Sequence, residues 1–118
     1  MSRIQTKTGE QSLATGALTL DLVIGTDTPE FEGDFELCQV MLSSTISITQ
    51  AIAVRHIGDE GAAYDFVLDS SAGALTDYVF RPTGECMLKR GDTIRLTCAN
   101  SGTPAATVSA KIQVRKMV

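Results

Sequence analysis

One imidazole, three thiols and a scatter of carboxylates are what this chain offers for chemistry. Their spacing decides what they are able to do. His56 is the single histidine, so a Ser-His-Asp triad or a zinc centre would have to be built on it. It follows Arg55 in a strand-like run, where the guanidinium opposes both a proton on the ring and a metal ion. His56 therefore reads as a surface or hydrogen-bonded strand residue. Cys38, Cys86 and Cys98 are odd in number and lack the paired spacing of a metal or redox motif. They read as three reduced thiols acting as small apolar residues. The carboxylates of Asp27, Glu30, Glu32, Asp34, Asp59 and Glu60 fall in loops. Glu30-Phe31-Glu32-Gly33-Asp34 alternates its oxygens as a calcium loop does, but no bidentate glutamate follows at the required distance. Arg90-Gly91-Asp92 spells a cell-adhesion triplet, yet Gly and Asp are also what a tight turn requires. Asp92 is expected to accept hydrogen bonds from turn amides, and Asn100 reads as a second turn residue. No glycine-rich phosphate loop leads into a helix, and no pair of catalytic carboxylates can be placed. The residues thus assign no catalytic, cofactor-binding or metal-binding site, and the chain is read as a non-enzyme with no cofactor.

Composition narrows the partners. The net charge is −4, and the basic residues are scattered, with Lys89-Arg90 and Arg115-Lys116 as pairs rather than patches. That opposes nucleic-acid binding, which needs clustered cations against phosphate. Aromatic residues are 5% of the chain, with no Trp and only Tyr64 and Tyr78 as tyrosines, so rings for stacking on bases or sugars are scarce. Phe31, Phe35, Phe66 and Phe80 are assigned to the core. The most apolar run, residues 17–24, is interrupted by Thr19 and Asp21 and is too short to cross a bilayer. No signal-peptide pattern opens the chain. The expectation is a protein made in a cytoplasm, with no membrane partner.

Elements that would carry these residues are strands. Leu18, Leu20, Leu22 and Ile24 alternate with other residues at the period of a half-buried strand. Residues 35–42 form a second strand whose apolar parity slips from Phe35 and Leu37 to Val40 and Leu42, so that either both faces are partly covered or a bulge near Cys38-Gln39 shifts the register. Residues 43–50 read as a protruding connection with some strand character. Further strands are expected over 51–57, 64–68 and 77–81, with a turn at 58–61 and a loop over 69–76. Residues 85–88 and 93–98 are expected to form a hairpin. Burial of Leu88, Ile94 and Leu96 on one face then demands a loop of three or five residues; a three-residue loop with a bulge at Gly91 or its neighbour places Cys86 opposite Leu96, with Cys98 at or beyond disulfide reach. Residues 106–116 close the set, with Val108, Ala110, Ile112 and Val114 on one face. The fold class predicted is all-β, an antiparallel β-sandwich of jelly-roll type with seven or eight strands. Residues 1–16 read as a flexible polar N-terminal arm, with a short edge strand around residues 3–7, and residues 17–118 as a single sandwich domain.

Over roughly residues 34–116 the order Phe35-x-Leu37-x-x-Val40-x-Leu42, Gly61-Ala62-Ala63-Tyr64-Asp65-x-x-Leu68, Arg81-Pro82, Leu88-x-x-Gly91-Asp92-x-Ile94-Arg95 and Asn100, closed by an aliphatic strand, resembles small virion proteins of tailed bacteriophages. The resemblance implies a β-sandwich structural protein of the virion, of the capsid decoration (cement) type or a neck or tail accessory. The partner implied is the major capsid protein or another virion subunit, bound as a homo-oligomer with a trimer favoured. No site residues carry over, because such proteins act through extended surfaces. The 1–16 arm and the loops at 25–33 or 43–50 are the expected contact regions. The alternative is a module that binds a receptor or a glycan.

Overall fold

Alternation of aliphatic and polar residues leaves the central strands with one face to hide, and two sheets laid face to face hide them together. A computed structural model of the chain describes residues 4–28, 35–59, 61, 63, 65–72, 74–84, 86–99 and 106–116. These residues form β1 (Ile4–Ser12), β2 (Leu18–Val23), β3 (Phe35–Ile48), β4 (Ile52–Ile57), β5 (Phe66–Ser71), β6 (Leu75–Phe80), β7 (Met87–Leu88), β8 (Thr93–Cys98) and β9 (Thr107–Lys116). One sheet has the order β1-β9-β3-β6, with the two-residue β7 also paired to β3; the other has the order β2-β8-β4-β5. Every pairing is antiparallel. The protein is an all-β sandwich of two antiparallel sheets.

The core lies between the sheets and is aliphatic. Leu18, Leu20 and Leu22 of β2 meet Ile94, Leu96 and Cys98 of β8 and Ile52 and Val54 of β4 on one side. Val108, Ala110, Ile112 and Val114 of β9 and Val40 and Leu42 of β3 supply the other. Each such aliphatic side chain contributes about 1.5–3 kcal/mol by leaving water. Of the two readings of the slip in β3, the structure shows the bulge. Leu37 pairs with Val114 and Gln39 with Gln113, so Cys38 is the extra residue that lets both Leu37 and Val40 point inward.

Three expectations are corrected. The edge strand expected around residues 3–7 of a flexible polar arm is present but longer: from Ile4 to Ser12 the segment pairs residue for residue with β9 and is a full member of the sheet. Its polarity reflects an edge position: Ile4, Thr6, Thr8 and Glu10 face solvent, while inward-facing Lys7 reaches Asp27 at 2.7 Å. Gly9 allows the close approach, since a Cβ there would stand 2.9 Å from Leu20 Cδ1. The 85–88/93–98 hairpin does not form either. Met87–Leu88 pairs with β3 in one sheet and Thr93–Cys98 with β2 and β4 in the other, so residues 89–92 turn the chain across the core. Leu88 and Ile94 are both buried, from opposite sheets, and that satisfies the parity which suggested a hairpin. The placement of Cys86 opposite Leu96 falls with it, since the Cys86 carbonyl accepts the Leu37 amide at 2.9 Å. The third correction is Phe66, assigned to the core but 57% exposed on edge strand β5. Phe35 is buried and Phe80 packs partly against the core, while Phe31 lies outside the described residues. β3 also runs on through Ile48, because Thr and Ser at 43–47 are compatible with a strand whose outer face is wet.

Candidate functional site: the outer face of the five-stranded sheet

The pleat that turns Val40, Leu42, Ala110 and Ile112 inward turns their neighbours outward. Register then sets these outward residues in rows across four strands. One row runs Val79, Met41, Lys111, Thr8; the next runs Asp77, Ser43, Ser109, Glu10. Small hydroxyl side chains on β1, β3 and β9 leave an open trough of about 710 Å³ over these rows. Met41, Val79 and the Lys111 stem give it apolar walls, and Glu10 and Asp77 stand at its two ends across the sheet. Val79 is 47% exposed.

Above the trough the face is stiffened by a hydrogen-bonded line that crosses the same four strands. Arg81 Nε donates to Gln39 Oε1 at 3.1 Å, Gln39 Nε2 donates to Gln113 Oε1, and Gln113 Nε2 donates to Thr6 Oγ1 at 3.3 Å. Beyond it Arg115 pairs with Glu36. The face therefore grades from a fixed polar end to a trough of small side chains. That arrangement suits shape-matched contact with another surface.

The residues singled out from the sequence gather elsewhere, at the corner after β7. Asp92 is 8% exposed. Its Oδ1 accepts the Asp59 amide at 3.1 Å, and its Oδ2 accepts the Lys89 amide at 3.0 Å and lies 3.1 Å from His56 Nε2. Burial pushes this carboxyl up, but the Lys89 and Asp59 amides, with His56, outweigh it and hold Asp92 below the usual aspartate range. His56 is thus a satisfied strand histidine, and Asp92 accepts turn amides as the sequence suggested. Gly91 has φ +92°, and its amide donates to the Ile24 carbonyl at 2.9 Å. Arg90-Gly91-Asp92 is turn chemistry that ties the corner to the end of β2.

A His-Asp pair beside a thiol invites a nucleophilic reading, and Cys86 is the thiol whose charge neighbours include Asp92. Burial first, then the Asp92 and Glu36 charges, push the Cys86 thiol up. That keeps it protonated, the opposite of what an activated nucleophile needs. Burial likewise raises Cys38 and Cys98, and all three thiols are unbonded. Other charged groups also serve as locks. Asp21 takes both Arg95 nitrogens at 2.7 and 2.9 Å, and Asp27 accepts the Val23 amide at 2.8 Å besides Lys7. Tyr78 donates its hydroxyl to Asp69 across the gap between β6 and β5; burial, then the hydrogen bond and charge of Asp69, push the phenol up. Among the described residues no three His, Cys, Asp or Glu side chains converge as metal ligands. The Glu30–Asp34 segment, weighed for calcium, lies outside the described residues, as do Tyr64, Glu60 and Asn100.

Sequence reasoning did not find the trough. Its signal was the outward parity of the predicted 77–81 and 106–116 strands, but a row needs cross-strand register, which no single segment contains. Compared with known protein families and curated proteins, the chain matches no family model and no curated protein.

Proposed function

We propose that the protein is a non-enzymatic structural component of a tailed-bacteriophage virion, a capsid decoration (cement) subunit that binds the major capsid protein lattice as an oligomer. The observation that carries this reading is the division of labour among side chains. The carboxylates of Asp21, Asp27, Asp69 and Asp92 are engaged in locking corners and edges, while a broad sheet face offers small hydroxyls, Met41 and Val79 for contact. The bacteriophage-like order of residues 34–116 points the same way. The strand order supports it too: apart from the short β7, we read strands 1-9-3-6 over 2-8-4-5 as compatible with two interleaved Greek keys, the jelly-roll arrangement that recurs in viral capsid domains. The outward face of β1 takes over the contact role expected of a free arm.

Quantitative mass spectrometry of purified virions of the encoding phage tests the reading. Hundreds of copies per particle are expected. A handful would move the protein to the neck or tail, and absence would end the virion reading. Within a capsid-bound protein, Ser109→Trp fills the trough and is expected to weaken co-sedimentation with capsids, while the fold, read by circular dichroism, is retained. Unchanged capsid binding with a new glycan or receptor affinity elsewhere would favour the binding-module alternative.

A further inference from the structure

Sheet edges show unpaired N–H and C=O groups, and folds that stay monomeric blunt them with inward charges, bulges or covering elements. Three of the four edges here carry such a feature. Inward Lys7, fixed by Asp27, guards β1; β2 packs beside β1; and a register shift opposite Val54 and Arg55 bends β5. β6 differs. It ends its sheet; its pairing with β3 shifts register between Leu75 and Asp77, with the extra residues mainly on β3, and is regular from Asp77 to Phe80; and among the described residues no other backbone bonds to it. Tyr78 and Asp69 hold it next to β5, where Phe66 and Val67 are 57% and 60% exposed.

We infer that β6 is the pairing edge for a second copy of this chain, two β6 strands running antiparallel about a two-fold axis at Val79. The sequence of the edge selects this partner and this register. An antiparallel pair related by a two-fold axis opposes residues of the same face. Centred on Asp77, it would set two carboxylates against each other. Centred on Tyr78, it would set Asp77 against Val79. Centred on Phe80, it would draw Pro82 into the ladder opposite Tyr78, where its missing N–H is a defect. Centred on Val79, it sets Asp77 of each copy against Arg81 of the other, valine against valine at the axis, and Tyr78 against Phe80 on the inner face. Opposite charges and apolar pairs across strands are the favourable combinations. Both charged groups are available. Among the described residues Asp77 makes no ion pair and Arg81 bonds through Nε alone, toward Gln39. The exposed Phe66 and Val67 of the adjacent edge add apolar area to the same side.

This pairing is independent of virion attachment, and it is two-fold where the resemblance favoured a trimer. Sedimentation equilibrium of the isolated protein tests it. The wild type is expected to be a dimer, Asp77→Arg and Arg81→Asp each monomeric through like charges across the axis, and the double exchange D77R/R81D dimeric again. Val79→Lys, which places two ammonium groups at the axis, is expected to be monomeric by a second route. Far-UV circular dichroism confirms that each variant folds. A monomeric or trimeric wild type, single variants that remain dimeric, or a folded double exchange that stays monomeric would overturn the inference.

Discussion

At the scale of the residue, Asp92 concentrates more of the fold than any other polar side chain described. It satisfies two backbone amides and His56 from a position nearly closed to water. Asp92→Ala leaves those donors facing apolar surroundings and is expected to cost about 2–3 kcal/mol in urea denaturation. Because the native state holds this carboxyl below its ordinary range, the unfolded chain takes up the proton first on acidification. The stability it confers is therefore complete above the ordinary aspartate range and lost as pH falls through that range and below it. Asp92→Asn should flatten this acid limb in a pH series of denaturation midpoints; an unchanged limb would assign acid sensitivity to other groups. Gly91 makes a second residue-scale case. At φ +92° with a Cβ only 2.5 Å from Asp59 Cγ, Gly91→Ala combines backbone strain with a clash and is expected to cost about 2 kcal/mol or more. Gly84, with open space around its Cβ position, is the control and should tolerate alanine. Thiols report burial directly: Cys98 is fully buried while Cys38 and Cys86 are half-buried. An aromatic disulfide reagent should titrate three thiols in denatured, unreduced protein and spare Cys98 in the native state.

At the scale of the element, β1 is a structural member of its sheet. Removing residues 1–12 strips the ladder from β9 and uncovers the Leu20 side of the core, so a lowered thermal midpoint and increased binding of a hydrophobic dye are expected. A truncated chain with an unchanged midpoint would return β1 to the status of a dispensable arm. The same strand shows where sequence legibility ended. Strands β2, β4 and β9 were readable because each has one wet face and a period of two, and the bulge at Cys38 was readable because it breaks that period within a single segment. β1 was read only as a short edge strand around residues 3–7 because Gln-Thr-Lys-Thr-Gly-Glu-Gln carries no apolar alternation; its partner, not its composition, carries the strand on to Ser12. The supposed hairpin at residues 89–92 failed for a related reason. Parity says that Leu88 and Ile94 face one core but not that they approach it from two sheets. Corner chemistry at Asp92 was legible from Gly and Asp alone, whereas the outer trough depends on register among β1, β9, β3 and β6.

At the scale of the whole molecule, the two long sides of the sandwich differ in kind. One is closed by β1 and β2 with inward Lys7 fixed to Asp27; the other presents β5 and β6 with Phe66, Val67 and Val79 exposed. On the proposed reading, a subunit of this shape would hold its neighbours by side-on pairing and its support by a face. Pairing of β1 with β9 also has a consequence in time. Ile4 lies opposite Arg115, so β1 is synthesised well before β9 and waits for it. Such long-range topology belongs with slow-folding β-sandwiches, on the order of milliseconds to seconds once the chain is complete. During synthesis the wait lasts roughly 5–20 s at ordinary elongation rates. A strand left unpaired for that long is an aggregation hazard if it is apolar. The Thr, Gln, Lys and Glu of β1 keep the waiting segment soluble, so the composition that masked the full extent of this strand is what protects the nascent chain until β9 arrives.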